Sequence, residues 1–561
     1  MAEVEIPAED LSAGPRGHRL HVIDYDASTD TLYAPFQPPT EEDPFPKLDF
    51  EQMITDPHFQ SWNTYAVVMR TLSRFEFALG RKVAWNHGGH QIKVFPHAFR
   101  DANAFYAPEV EALMFGYFQG RDNTIFSCLA HDVIAHETTH AVIDGLRGWF
   151  TDPSSLDQAA FHEGFADVVA LLEVLSVPEV VKAILEHNWA NPDDESDEPN
   201  EFVSRYRVTE DKLLQTELFG LAEEMGTELS ANRGDALRRS ATLKPSKDWA
   251  TSEAWTEPHR RGEILSAVML RAFVKVWMAR IDRLRRLKYG HFDLGSVALE
   301  GAEAAEYLLT TAIRAMDYTP PIHLTFSDYL SALLTADYEL RPRIDRYEFR
   351  SRLRAAFGEF GIDPAPDADP DTGIWMRELD VEEPRYNYSR SRFEAMQRDP
   401  EEVFRFVWEN RSQLGLVDDS YTQVSKPLPA VRFAPEDGAV VRETIVEVIQ
   451  QISVMGRELS DFGVRRPQGM TLDQPVKLSG GSTLIFDEYG RLKYRVRNTL
   501  PLPKSDPRHD RGIARLHSTR LEHLWVSGYL DEEGSGSGAQ RLREIHLRKA
   551  MDDEVTRREQ W

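Results

Sequence analysis

Two histidines and a glutamate in Asp132–Ala141 have the spacing of a metal site on a helix. The segment reads DVIAHETTHA, so His136 and His140 lie four residues apart and Glu137 directly follows the first of them. Side chains four residues apart project from one face of an α-helix, so both imidazoles can bind one zinc ion. Glu137 lies about a quarter turn round, near a water on the metal. No proline or glycine interrupts residues 132–144, which predicts a helix.

A catalytic zinc site needs a third protein ligand, and a candidate lies 23 residues after His140. Glu163 stands in QAAFHEGFADVVALL, a second predicted helix, and Asp167 follows one turn later on the same face. One carboxylate can bind zinc while the other accepts the N–H of a ligand histidine. His162 is an alternative third ligand, although on a helix its side chain points about 100° away from that of Glu163. Three protein ligands leave a fourth position for water, the pattern of a catalytic zinc site.

The segment DVIAHETTHAVIDGL, with EGFAD after it, resembles the thermolysin-like gluzincin zinc metallopeptidases (HExxH…ExxxD). The resemblance implies that His136, His140 and Glu163 bind Zn2+ and that Asp167 supports the ligands from behind. It also implies that Glu137 is the general base on a zinc-bound water. The implied activity is that of a zinc metalloendopeptidase, a hydrolase whose substrates are proteins or peptides.

Two further segments resemble the same family. NAFYAPEVEALMFGYF resembles its edge strand, which implies that Asn103 and Ala104 bind the substrate backbone; the alternative is an ordinary hairpin turn at Asn103. EPHRRGEILSAVMLRAFV resembles the segment of its catalytic histidine, which implies that His259 stabilises the oxyanion; the alternative is a capping or surface histidine. The chain departs from the family where a second transition-state residue, a tyrosine, is expected, because Gly148–Phe150 occupy that place.

The resemblance, over roughly residues 90–340, implies an α+β fold with a thermolysin-like core. We expect a strand-rich N-terminal lobe, an active-site helix and a helical C-terminal lobe, followed by an α+β accessory domain of unknown function. The predicted units are an extended arm (1–48), the strand-rich lobe with the zinc helix (49–150), the helical lobe (151–362) and the accessory domain (374–561).

Local patterns predict several elements. Apolar spacing predicts a helix from Phe50 to Leu79 that ends at Gly80, and QIKVFPHAF and EALMFGYF predict strands. Residues 438–458 are predicted to be helical, and STLIF followed by RLKYRVR predicts a hairpin. We expect a solvated loop at 191–201 and a flexible loop at 532–540. Four basic residues alternate along the second hairpin strand, where a solvated face is favoured over nucleic-acid contact: Arg491, Lys493, Arg495 and Arg497.

Composition limits the classes of function. The 561 residues carry 65 Lys and Arg against 92 Asp and Glu, a net charge of −27, which argues against a general nucleic-acid binder. The sequence contains no run of 18 apolar residues, so we expect no membrane span. The first twenty residues have neither the basic nor the apolar region of an export signal, so none is predicted. Because Cys128 is the single cysteine, no internal disulfide can form. These features together favour a cytoplasmic protein. The alternative function is a non-catalytic protein-interaction module in which a structural zinc joins two helices. No feature predicts the oligomeric state.

Overall fold

The computed structural model describes residues 3–38, 45–120, 123–151, 154–189, 202–215, 240, 243–284, 290–342, 344–380, 386–434 and 438–530. The loops predicted at 191–201 and 532–540 lie outside these ranges. Within them, none of the helices combines the length and apolar character needed to cross a bilayer.

The N-terminal part of the chain forms a mixed five-stranded sheet. Its strands have the order β1-β4-β6-β5, and β7 also pairs with β6. The β1–β4 and β4–β6 pairs are parallel, whereas β5 and β7 run antiparallel to β6. The strands predicted in QIKVFPHAF and EALMFGYF are confirmed as β4 and β6. The bounds in this half of the chain are β1 (Leu20–Val22), β2 (Tyr25–Asp26), β3 (Thr31–Leu32), β4 (Ile92–Phe99), β5 (Ala104–Ala107), β6 (Ala112–Gln119), β7 (Thr124–Phe126), β8 (Phe202–Ser204) and β9 (His291–Asp293).

Helices pack on this sheet and form the middle of the molecule. The helix predicted before Gly80 is confirmed, with a break at Asp56; Gly80 adopts a φ of 67°, a conformation that favours glycine, and its N–H caps the helix. The helices are α1 (Phe50–Thr55), α2 (Pro57–Leu79), α3 (His131–Leu146), α4 (Leu156–Leu175), α5 (Pro178–Trp189), α6 (Glu210–Gln215), α7 (Pro258–Ile281), α8 (Leu294–Ala315), α9 (Phe326–Leu340), α10 (Phe349–Glu359), α11 (Phe393–Met396), α12 (Pro400–Glu409) and α13 (Arg511–Val526).

A second five-stranded sheet, entirely antiparallel, lies in the C-terminal part. The predicted hairpin is confirmed as β13 and β14, but the helix predicted at 438–458 is wrong, since these residues form the long strand β12. Valine and isoleucine dominate β12, and residues 443–450 are buried on both faces of the sheet. Without alternation of polar and apolar residues, a buried strand looks like a buried helix. The strands are β10 (Tyr421–Val424), β11 (Leu428–Ala434), β12 (Ala439–Met455), β13 (Pro475–Phe486) and β14 (Leu492–Asn498).

One continuous hydrophobic core joins the regions. It includes Leu20 of β1, Val142 of α3 and Leu265 of α7, and it extends to Ile445 and Tyr494 of the C-terminal sheet. The strand β1 lies inside the segment predicted as an extended arm and pairs with β4. The fold is therefore α+β, with a strand-rich N-terminal sheet beside a helical active-site region, whereas the four domain limits stay predictions.

The expectation of a solvated basic face on β14 is wrong at its centre. The ammonium of Lys493 is buried between the carboxylates of Glu339 and Glu443, 2.7 Å from Glu443 Oε1. Arg495 is partly buried and lies 3.4 Å from Glu378 Oε1. Both faces of this strand are therefore covered at its centre, where the basic residues form ion pairs, whereas Arg497 near its end is exposed.

Candidate metal centre

The helix α3 positions the two histidines of the HExxH segment in the interior of the protein. His136 is 5% exposed and His140 is fully buried, and their Nε2 atoms lie 2.9 Å apart. The close approach follows from their spacing, because residues one turn apart share a face of the helix. Two imidazole nitrogens therefore point at one position inside the protein.

Glu163 of α4 completes the group. Its Oε2 atom lies 3.7 Å from His136 Nε2 and 3.8 Å from His140 Nε2. Three atoms bound to one tetrahedral zinc at about 2.0–2.1 Å lie roughly 3.3 Å from one another. The observed separations of 2.9–3.8 Å bracket that value, so the donor set fits zinc in both geometry and chemistry. Among the residues that the structure describes, these three are the group of His, Cys, Asp and Glu side chains that is compact enough to bind a metal.

Asp167 lies behind the first histidine, one turn along α4 from Glu163. Its Oδ1 atom is 2.9 Å from His136 Nδ1. An N–H on Nδ1 that is donated to this carboxylate leaves the lone pair on Nε2, the atom that faces the other ligands. This position is the one expected of a residue that supports a ligand histidine.

The rival ligand His162 is close to the site but takes another position. Its ring stacks on that of His140, with the centroids 4.6 Å apart and the planes 13° from parallel. It is not part of the candidate metal group, whose carboxylate comes from Glu163. Cys128 lies in the short turn Ser127–Leu129 before α3 and is also outside this group.

Glu137 is completely buried and is attached to the edge strand of the N-terminal sheet. Its Oε2 atom accepts a hydrogen bond of 3.0 Å from the backbone N–H of Tyr106 in β5. The hydroxyl of Tyr106 donates to Asp144 Oδ2 at 2.9 Å, near the end of α3. Burial and the negative charge of Asp144 raise the pKa of Tyr106 above its usual range, so the phenol remains a donor. This double role is not predictable from the sequence alone, because Tyr106 has the pattern of an ordinary strand residue.

Asn103 and Ala104 lie where β5 begins. The side-chain oxygen of Asn103 accepts the backbone N–H of Ala104 at 2.9 Å, and the carbonyl of Asn103 accepts the N–H of Gly116. Alternate residues of an antiparallel strand direct their backbone groups to opposite sides. Asn103 thus faces β6, and the backbone of Ala104 faces the opposite side, as Tyr106 does.

His259 lies in the first turn of α7, beside the metal group. Its Nε2 atom is 3.4 Å from Glu163 Oε2, and its Nδ1 atom is 2.7 Å from Glu257 Oε1. Glu257 also accepts the backbone N–H groups of His259 and Arg260, so it caps the helix. Burial raises the pKa of Glu257, but its hydrogen bonds to His259 and to these N–H groups outweigh burial and lower it. Arg261, two residues after His259, forms an ion pair with Asp157 of α4.

Two glycines allow α4 and α7 to cross at close range. A Cβ atom at Gly164 would lie 2.6 Å from the Gly262 carbonyl oxygen, and one at Gly262 would lie 2.9 Å from the Gly164 nitrogen. Glu163 and His259 project from the two helices near this crossing. The sequence signal is one glycine in each helical pattern, but which glycines face each other depends on the tertiary structure.

Part of the chain matches a known protein family. Residues 60–144 match the model of the thermolysin metallopeptidase catalytic domain. The resemblance to the thermolysin-like zinc metallopeptidases is confirmed. The match spans most of α2, β4 to β7 and most of α3, and it includes His136, Glu137 and His140 but ends before Glu163. No curated protein matches the chain.

The thermolysin-like match and the metal group support one another. The matched family depends on zinc, and the three side chains that converge here are the donor types that zinc prefers. Because the match ends at residue 144, the third ligand rests on the distances from Glu163 to the two histidines. Together they support a metallopeptidase with a zinc site at His136, His140 and Glu163.

Proposed function

We propose that this protein is a zinc metalloendopeptidase that cleaves peptide bonds of proteins or peptides, with Glu137 as the general base. The proposal depends chiefly on one observation: the Nε2 atoms of His136 and His140 converge with a carboxylate oxygen of Glu163 inside a thermolysin-like segment. Zinc bound there would act as a Lewis acid that polarises the scissile carbonyl and makes a water more acidic.

The protein groups around this position have complementary roles in the proposed reaction. Glu137 takes the proton of the attacking water and delivers it to the leaving nitrogen. The N–H of Tyr106 holds one oxygen of that carboxylate, which keeps Glu137 oriented while the proton moves. Asp167 keeps the Nδ1 proton of His136 in place, so that Nε2 remains a ligand.

His259 is the proposed donor to the oxyanion that forms on the scissile carbonyl. Its Nδ1 atom is held by Glu257, so Nε2 is the nitrogen that faces the metal group. We propose that Asn103 and Ala104 bind the substrate backbone, which would join β5 as an added strand. The support is that β5 is an edge strand whose Tyr106 directs its backbone N–H towards Glu137.

Two measurements on the zinc-loaded protein and its Glu137→Gln variant test the function. An internally quenched peptide library blocked at both ends measures cleavage, since exopeptidases cannot attack it, and atomic absorption measures bound zinc. We expect the wild type to cleave internal bonds and the variant to retain one zinc but lose at least about 100-fold in turnover. Equal turnover in the two proteins would contradict the assignment of Glu137.

Metal removal separates this proposal from a structural zinc. We expect a chelator to abolish cleavage while the far-ultraviolet circular dichroism stays close to that of the zinc-loaded protein. Collapse of the fold upon chelation, with no cleavage by the loaded protein, would support a zinc that only joins α3 to α4.

A further inference from the structure

The C-terminal end of α3 is attached to the C-terminal sheet. The side chain of Arg147, the residue that caps α3, is 3% exposed; it forms an ion pair with Glu447 of β12 and donates to the carbonyl oxygen of Met316. The backbone of Glu447 is fixed in turn by hydrogen bonds of 2.8 and 2.9 Å with Ser425. The helix that carries His136 and His140 is therefore connected to residues far outside the thermolysin-like match.

Other buried ion pairs also join the helices and the turns beside them to the C-terminal sheet. Asp317 pairs with Arg81 at 2.6 Å and with Arg432, and Glu443 pairs with both Arg432 and Lys493. The partners that precede the C-terminal sheet in the chain are Arg81, Arg147, Asp317 and Glu339, and those within the sheet are Arg432, Lys493, Glu443 and Glu447.

We propose that Glu447 is a positioning residue for the zinc site, acting through Arg147; this inference rests on the proposed function. Arg147 follows His140 by seven residues, which is two helical turns, so it lies on the same side of α3 as the ligand. Loss of the Glu447 charge leaves a buried guanidinium without its counter-charge, which forces Arg147 to move. The last turn of α3, closed by the Arg147 N–H bond to Ile143, then loosens on the ligand side.

Other contacts hold α3 independently, so the effect of Glu447 is graded. Asp144 accepts hydrogen bonds from Tyr106 and from Asn86, the latter at 3.0 Å. A Cβ atom at Gly145 would lie 2.0 Å from the Ala84 carbonyl oxygen, so this face of the helix lies against the backbone of residue 84. The helix therefore stays in place without Glu447, and the expected change is a small displacement of His140.

The experiment compares Glu447→Gln with Arg497→Gln in the full-length protein. Arg497 of β14 also pairs with a residue that precedes the C-terminal sheet in the chain, Asp367, at 3.1 Å, but this pair is exposed. Zinc affinity is measured by chelator competition well below the unfolding temperature. We expect Glu447→Gln to bind zinc about three- to tenfold more weakly, a smaller loss than the 10–100-fold typical of a residue that holds a ligand directly. We expect kcat of Glu447→Gln to fall while its KM is unchanged. Arg497→Gln should match the wild type in zinc affinity, kcat and KM.

A double variant separates positioning from stability. Replacing both partners by apolar residues, Arg147→Met with Glu447→Met, removes the uncompensated charge and restores the thermal midpoint. If Glu447 positions the site, zinc affinity and kcat stay low in this stable protein, because the connection to β12 is still absent. Full recovery of both, or wild-type zinc affinity in folded Glu447→Gln, would overturn the inference. A wild-type protein that binds no zinc would instead refute the proposed function.

Discussion

Gly164 of α4 lies against Gly262 of α7 so closely that a Cβ atom on the first would be 2.6 Å from the carbonyl oxygen of the second. The atoms in the way belong to the backbone, which cannot turn aside as a side chain can. This crossing places Glu163 and His259 at the same level of two neighbouring helices. The candidate metal centre therefore depends on a packing contact that involves no catalytic side chain.

We expect Gly164→Ala to separate the two helices and so to weaken both the fold and the site. Forced overpacking typically costs about 1–3 kcal/mol in the free energy of unfolding. Chemical denaturation measures that cost, and chelator competition measures zinc affinity, which should fall with it. The matched control is Gly358→Ala in α10, where a Cβ atom meets nothing within 4 Å. The control should be neutral or gain about 0.4–1 kcal/mol; equal stability of the two variants would contradict the packing argument.

Asp167→Asn tests the support behind His136. An amide oxygen can still accept the Nδ1 hydrogen bond, but without the negative charge it favours the ligand tautomer less. We expect zinc affinity to fall by about 10–100-fold while the thermal midpoint of the metal-free protein changes little. Asp132→Asn, in the first turn of α3, makes the same chemical change on the zinc helix and should leave the affinity unaltered. An unchanged affinity in Asp167→Asn would show that its carboxylate does not assist the ligand.

The metal centre was largely predictable from the sequence, because metal ligation follows local spacing. His136 and His140 lie on one helix, and Glu163 with Asp167 lies on the next, so two helical periodicities suffice to predict the group. The structure places Glu163, and not His162, in the metal group. Asn103, Ala104 and His259 depended on resemblance, and their roles stay predictions.

Long-range packing was not predictable in the same way. The strand β12 lacks alternation at its centre because residues 443–450 are buried on both faces, so its valines and isoleucines are equally typical of a buried helix. The alternating basic residues around Lys493 are typical of a solvated face. The sequence does not reveal that Lys493 is buried, because its partners, Glu339 and Glu443, are remote in sequence. The contribution of Tyr106 also required the tertiary structure, since its hydrogen bonds reach residues on another element.

Lys493→Met tests the buried charges in the C-terminal sheet. The substitution leaves Glu339 and Glu443 without the cation between them, and breaking a buried ion pair typically costs about 3–5 kcal/mol. We expect a loss of this size in the free energy of unfolding, measured by urea denaturation. Lys477→Met, at an exposed position of neighbouring β13, is the matched control and should change stability by less than about 0.5 kcal/mol. A small effect at both positions would mean that the cluster contributes little to the fold.

His259→Gln tests the proposed oxyanion donor. Loss of one such donor typically lowers kcat by about 100- to 1,000-fold. We expect a decrease of this size with KM nearly unchanged and zinc retained, measured by steady-state kinetics on the blocked peptides and by metal analysis. His90→Gln, at an exposed position, should behave as the wild type. Loss of zinc together with activity in His259→Gln would instead indicate that His259 supports Glu163.

We expect the buried side chain of His517 to make the free energy of unfolding depend on pH. Burial, reinforced by the charge of Arg520, lowers the pKa of His517 to about 3, although its hydrogen bond to the carbonyl of Thr499 opposes the shift. In the unfolded chain the pKa is near 6.5, so between these values the unfolded state binds more protons. The free energy of unfolding should therefore fall as the pH drops from 6.5 towards 3.

Other buried groups near His517 also titrate, so its effect has to be measured as a difference between the wild type and a variant. Burial lowers the pKa of His323 as well, whereas burial raises that of Asp328 to about 6, which favours the folded state as the pH falls. His517→Gln removes one titration and keeps an amide that can donate to Thr499. In urea denaturation of the metal-free proteins at pH 7.5, 6 and 5, the wild type should lose more stability on acidification than this variant. His90→Gln should follow the wild type, and a parallel decline of all three proteins would contradict the prediction, because a single buried imidazole would then contribute nothing to the slope.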